Sequence, residues 1–370
     1  MRIAVVVPVV KRVQGNRLAF SLSRALARSH DVTVYTETAF DGIVAEVERQ
    51  VAPARYRALR VTSSDRLSNL NLFLRQLRRG PDRRISDALR ADHRAKPFDA
   101  VVVFANEGHW VAEYLAAWTE PARPTTVLVL MDPIEQVFLL ARDRPFAKAR
   151  QLFVPFYSAL HAVESRRVHS FDLVFSISRW VAELASFLYG IATPEPVAAV
   201  DAELFQCSAP IDDATPYVAV PTASLRPSDR GLLARLYQQG VPLVTCGTRA
   251  VPGIPHRGFL PDSELVTFLA GARSTLFLFD YEGLGLLPLE SLAVGTPVVT
   301  LPHGGPFREL QKNPFVRFGD DAETLARLCK ESLGYRRSGR EPERIRASIE
   351  SYFADEVAAR WGRGLAGHRV

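Results

Sequence analysis

The most constraining stretch of this chain is Tyr281-Glu-Gly-Leu-Gly-Leu-Leu-Pro-Leu-Glu290-Ser-Leu-Ala-Val-Gly-Thr-Pro-Val-Val-Thr300. It follows an apolar run, Thr275-Leu-Phe-Leu-Phe279, that reads as a buried strand. Gly283 and Gly285 then free the backbone to turn. Pro288 stands where a first helical turn tolerates proline, and Gly295 where a helix stops. Pro297-Val-Val-Thr-Leu301 is the next strand. The stretch is therefore a strand, a glycine loop, a short helix and a second strand, with a carboxylate at each end of the turn.

That geometry has a chemical use. Backbone amides at Gly285, Leu286 and Leu287 are donors without helical partners, which suits a phosphate or diphosphate. Glu282 falls on the loop at the carboxyl edge of the sheet, where open α/β folds bind ligands, and Glu290 falls inside the helix. Carboxylates are poor phosphate ligands and good acceptors for sugar hydroxyls, so the combination points to a sugar attached to a phosphate. The structural alternative makes Glu282 a turn residue and Glu290 a solvated helix residue.

Two glutamates separated by seven residues, in the setting Glu-Gly-Leu-Gly-Leu and then Leu-Glu-Ser-Leu-Ala-Val-Gly-Thr-Pro-Val-Val, resemble the signature of glycosyltransferase family 4. The resemblance implies the α/β GT-B fold, two Rossmann-like parallel-sheet domains facing across a cleft. It also implies a retaining enzyme that takes its sugar from a nucleotide-sugar. By the same resemblance Glu282 contacts the donor sugar, Glu290 contacts the nucleotide ribose, and the loop of Gly283, Leu284, Gly285 and Leu286 faces the diphosphate and sugar. No metal is implied, in keeping with the lack of an Asp-x-Asp triplet, and no cofactor, since the nucleotide-sugar is a substrate.

The remaining chain extends the likeness loosely. Ile3 to Pro8, a helix ending near Ser29 and Asp31 to Tyr35 form a βαβ opening without the Gly-x-Gly-x-x-Gly fingerprint. The family carries a glycine pair in this first loop, against acceptor or phosphate; here Gly15 and Asn16 stand there. Strands at 99–104 and 125–130 run into Asn106, Glu107 and His109, and into Asp132 and Glu135. Family members end the second of these in His-Asp, whereas this chain has Met131-Asp132. His109 is then either the substitute for that histidine or a local hydrogen-bonding residue beside Trp110. A strand at 171–178, a helix from Arg179 to Tyr189, a Tyr-Gly-Ile turn and Asp201-x-x-x-Phe205 resemble the close of the first domain.

The second domain opens with Tyr217 to Pro221, followed by Arg226 and by Arg230 where a lysine is usual; both are expected to neutralise the diphosphate. Gly247 ends the next strand. His256-Arg-Gly-Phe-Leu-Pro-Asp262-Ser263 resembles the loop near the nucleotide base, with Gly258 and Phe259 on the donor side and Asp262 or Ser263 as helix cap. His303-Gly-Gly-Pro-Phe-Arg-Glu309 matches a later family turn. The expected domains are residues 1–205 on the acceptor side, 206–350 on the donor side, and 351–370 as a helix crossing back.

Composition excludes other classes. A hydrophobic fraction of 47% and a charged fraction of 23% are those of a globular protein. Three dispersed cysteines, Cys207, Cys246 and Cys329, support neither a disulfide framework nor a zinc site and fit a reducing cytoplasm. No apolar run reaches the ~18 residues of a spanning helix, and the apolar start reads as a strand, not a signal peptide. Residues 1–200 hold 27 Lys/Arg against 20 Asp/Glu. The most basic part, 66–96, has leucines at helical spacing. It reads either as a peripheral membrane contact near a glycan or lipid-linked acceptor or as a helix packed on its own sheet. Nucleic acid is not an expected partner, because no reading module accompanies the charge. Two rivals to the transferase stand: a degenerate, non-catalytic GT-B subunit that supports a partner, and a nucleotide-sugar epimerase.

Overall fold

The computed structural model describes residues 1–10, 16–40, 42–62, 79–104, 110–118, 123–131, 150–194, 196–206, 215–222, 225, 227–279, 282–334 and 340–367. Two compact units result. One is built from the amino-terminal part of the chain and the closing helix Ala354–Gly367; the other contains Val200–Phe353.

The first unit contains β1 (Arg2–Val6), β2 (Val9–Val10), β3 (Asp31–Thr36), β4 (Thr38–Phe40), β5 (Arg55–Ala58), β6 (Val61–Thr62), β7 (Ala100–Phe104), β8 (Thr125–Leu130) and β9 (Leu173–Ser176). Six of these form a parallel sheet in the order β5-β3-β1-β7-β8-β9. The first strand is central and the order reverses beside it, which is the doubly wound arrangement. After a break of one or two residues, β1, β3 and β5 continue into β2, β4 and β6, which pair parallel as a second small sheet. The apolar runs of β1, β7 and β8 are buried on both faces, as a covered parallel sheet requires.

Carboxylates lace the amino edge of this sheet. Asp99 accepts from the Arg2 amide at 2.6 Å, and Asp172 accepts from the amide and hydroxyl of Thr126 at 2.7 Å each. Asp31 meets Arg55 and Lys96, and the Lys96 hydrogen bond holds its carboxyl below the usual range. The helix Arg79–Ala95 carries Pro81 in its first turn and buries Asp82, Ile85, Ser86, Leu89 and His93, one helical face. This part of the basic stretch therefore packs within its own unit; residues 63–78 lie outside the described set. The closing helix packs against the helix Arg17–Leu26, with Trp361 edge-on to Phe104 and Phe175. Among the described residues no helix is long and apolar enough to cross a membrane.

The second unit holds β10 (Val218–Pro221), β11 (Leu243–Cys246), β12 (Ser274–Phe277), β13 (Val298–Thr300) and β14 (Val316–Phe318), all parallel in the order β11-β10-β12-β13-β14. The order reverses between β10 and β12. Leu225, Leu233 and Leu236 pack with Leu276, Leu325 and their neighbours into one core. Burial pushes the thiols of Cys246 and Cys329 up to about 12, so neither is a nucleophile at neutral pH. The cap expected at Asp262 or Ser263 is not formed: the helix Asp262–Gly271 begins at Asp262 itself, its N-cap is Pro261, and no side chain caps it.

Candidate functional site at the carboxyl edge of the second sheet

Parallel strands deliver all their outgoing loops to one edge, and a ligand is received where the strand order reverses. In the second unit that point lies between β10 and β12. The loop after β12 carries Glu282, and the helix after β10, Pro227–Gln238, carries Arg230. Residues far apart in sequence thus arrive at neighbouring strand ends.

The short helix Leu286–Ala293 starts directly from the Glu282 loop. Its N-cap is Gly285 at φ +72°, a left-handed conformation in which a side chain would be strained. No side chain caps this end and no carboxylate stands in the first turn. Its leading amides therefore remain anion donors without a protein acid competing for them. Pro288 through Ala293 are all buried. Under the helix runs a chain of hydroxyls: Thr275 Oγ1 to Ser291 Oγ at 2.7 Å, Ser291 Oγ to the Thr296 carbonyl at 3.1 Å, and Thr296 Oγ1 to the Leu269 carbonyl at 2.8 Å. The helix is thereby seated on β12 in one register.

Glu290 is only 2% exposed, so it is not a solvated surface glutamate. Glu282 is partly exposed, and burial pushes its carboxyl above the usual range. Its backbone is fixed by a neighbour: the Gly305 amide donates to the Glu282 carbonyl at 2.9 Å. A Cβ on Gly305 would lie 2.1 Å from the Gly283 oxygen, a distance no real side chain tolerates. The Gly304-Gly305 pair seen in the sequence is therefore the floor on which the Glu282 loop rests. Gly285 is enclosed in turn by Phe277 and Pro306.

On the other flank, Gly247 follows β11 at φ +123°, and its amide donates to the Gly258 carbonyl at 2.7 Å. Thr245 and His256 are bridged alongside, with Thr245 Oγ1 2.9 Å from His256 Nδ1. Gly247 and Gly258 are thus brought together, and Phe259 follows them half-exposed. Arg230 stands in the first turn of the helix Pro227–Gln238. Arg249, which the sequence reading did not single out, lies exposed on the loop after β11 and donates to the Leu225 carbonyl at 3.3 Å. An isolated arginine after a Gly-Thr pair carries no motif, so only the fold could place it. Asn16 sits in the other unit, at the N-cap position of the helix Arg17–Leu26. Gly15, His109, Asp132 and Arg226 lie outside the described residues.

Two doubly wound parallel sheets, of six and five strands, define the GT-B class of glycosyltransferase folds. Residues 254–334 match the family model described as Glycosyl transferases group 1. Solved structures agree over the whole length. Sucrose-phosphate synthase from Thermosynechococcus elongatus is 16% identical with a TM-score of 0.73, covering 99% of this chain and 98% of that one. HepE of Anabaena, in complex with UDP and glucose, is 14% identical with a TM-score of 0.68, covering 99% and 100%. The lipopolysaccharide outer core galactosyltransferase WaaB is 12% identical with a TM-score of 0.61, covering 99% of both. No curated protein matches the chain.

Proposed function

We propose that this chain is a retaining glycosyltransferase that moves a sugar from a nucleotide-sugar donor to a glycan, lipid or small-molecule acceptor. The observation that carries the reading is the uncapped helix start at Gly285, set at the strand-order reversal between Glu282 and the buried Glu290. Amides there take the diphosphate, Glu290 the ribose and Glu282 the sugar. Arg230 meets the charge that develops on the leaving diphosphate, with Arg226 beside it, so the transfer needs no metal. The backbone around Gly247, Gly258 and Phe259 receives the base. HepE was solved with UDP and with UDP-glucose, which favours a uridine donor.

In the retaining chemistry of this reading, the acceptor attacks on the face from which the diphosphate leaves. A phosphate oxygen takes the acceptor proton, and no protein base is required. Residues 1–205 hold the acceptor, with the loop of Gly15 and Asn16 against acceptor or phosphate, while His109 and Asp132 serve the reacting donor sugar from that side. With the apolar face of the helix Arg79–Ala95 packed inside its own unit, only the exposed arginines of the stretch 66–96 would serve a peripheral contact with a lipid-linked acceptor.

The test is a thermal-shift panel of UDP, GDP, ADP and their sugar conjugates. A ligand at a hundred times its dissociation constant stabilises the fold by about 2.7 kcal/mol. One base is expected to shift the melting temperature, one sugar to enlarge the shift, and Glu290→Gln to abolish it. In the same material Glu282→Gln should lower turnover about a hundredfold or more while nucleotide binding persists. No shift with any nucleotide would favour the non-catalytic subunit instead.

A further inference from the structure

Arg346, on the helix Glu341–Ala347 of the second unit, takes no part in the proposed donor contacts. Its Nη1 donates to the Ala293 carbonyl at 2.7 Å and also to the Phe205 carbonyl. Its Nη2 donates to the Ala202 carbonyl at 2.6 Å, and the guanidinium carbon stands 4.7 Å from the centre of the Phe353 ring. One planar cation thus gathers four residues from three separate pieces of chain.

Each piece has a meaning. Ala293 is the last residue of the helix that carries Glu290, and a carbonyl at that position has no intrahelical partner. A cation there also opposes the negative end of the helix dipole. Ala202 and Phe205 belong to the turn that opens the second unit, which Asp201 fixes by accepting from the amides of Glu203 and Leu204. Phe353 is the residue that ends the unit. The opening and the end are themselves joined: Val200 and Phe353 form a parallel bridge, and the Val200 amide donates to the Tyr352 carbonyl at 2.8 Å. A second contact acts in the same sense. Gly295, in the turn after the helix, has φ +78°, and a Cβ on it would come within 2.8 Å of Pro342 Cα.

We propose that Arg346 is a positioning residue for the nucleotide-sugar site. It locks the far end of the helix Leu286–Ala293 to the joined entry and exit of the unit, and so fixes where Glu290 and the leading amides stand. This rests on the donor-site reading given above. The helix is about 12 Å long, so loosening at Ala293 reaches Glu290 within one turn and the amides within two. Lysine would keep the charge without the fork that bonds several carbonyls at once.

The experiment compares the full chain with Arg346→Lys and Arg346→Ala, and with Asp321→Ala as a stability control. Asp321 caps the distinct helix Ala322–Leu333, accepting from the Thr324 amide at 2.9 Å. Hydrogen exchange is measured first on the ligand-free proteins. Amides of Leu289 to Ala293 should exchange about tenfold faster in both Arg346 variants, with β12 and the control unchanged. Calorimetric titration with UDP should then show affinity about tenfold weaker in Arg346→Lys and weaker still in Arg346→Ala. Unchanged exchange and affinity beside a lowered melting temperature would reduce Arg346 to a structural staple and overturn the proposal. Should Arg346→Ala fail to fold, the lysine variant decides. If the wild-type chain binds no nucleotide, the donor-site reading falls while the exchange measurement still judges Arg346.

Discussion

The amino edge of the first sheet and the carboxyl edge of the second are closed by opposite means. In the first, carboxylates do the work: Asp99 and Asp172 take strand amides, and Asp172 and Asp31 also hold arginine or lysine. In the second, glycines and hydroxyls do it: Gly305 against Gly283, Gly247 to Gly258, and Thr275 through Ser291 to Thr296. The difference follows from what each edge must meet. An edge that only terminates strands can spend side-chain charge on loose amides. An edge that receives a diphosphate must keep its amides unspent and bring backbone close to the ligand, which only small residues permit.

Three substitutions would break or sharpen that contrast. Gly305→Ala is the most damaging, because its new methyl would overlap the Gly283 backbone. The expected loss is about 3 kcal/mol or more, with nucleotide binding lost as the Glu282 loop is displaced; chemical unfolding and UDP titration would show both. Asp172→Ala comes next. It strands the buried Thr126 amide and should cost about 1–3 kcal/mol in the same unfolding assay, yet leave UDP affinity within a factor of about two, since it touches only the structural edge.

The smallest effect has the opposite sign. Burial raises the folded-state pKa of Glu282 above its unfolded value, so the native state binds the extra proton. The stability contribution of this group is complete below the unfolded pKa, about 4.3, and is lost as pH rises toward the folded value. Glu282→Gln should therefore raise the melting temperature of the ligand-free chain at pH 7 by about 2 °C or more, and the gain should vanish near pH 4. A gain that persists at pH 4 would mean that something other than charge burial strains this loop.

What was legible in the sequence was local. The glycine motif declared its strand, turn and helix because each residue's conformational bias acts on its immediate neighbours. The helix Arg179–Tyr189 was legible for the same reason, its Ser178 cap and Gly190 stop standing at its own ends. β5 was missed because Arg-Tyr-Arg-Ala is an edge strand, exposed at alternate residues, with arginines where a buried strand would carry valine. The burial of Glu290 could not be read, since a glutamate in a short helix has the same pattern whether it faces water or a sheet. Arg346 was equally silent: the carbonyls that accept from it lie 53 to 144 residues away, and nothing near it marks them.

The joining of Val200 to Phe353 has a topological consequence. The stretch Val200–Phe353 of the second unit has its two ends joined at one bridge, and the first unit takes in chain from both sides of that stretch. During synthesis, Phe104 and Phe175 must wait for Trp361 before their faces are covered, long after every strand of that stretch has been made. The stretch Val200–Phe353, whose core residues all precede Trp361, has its own core complete in sequence before the closing helix of the first unit is made.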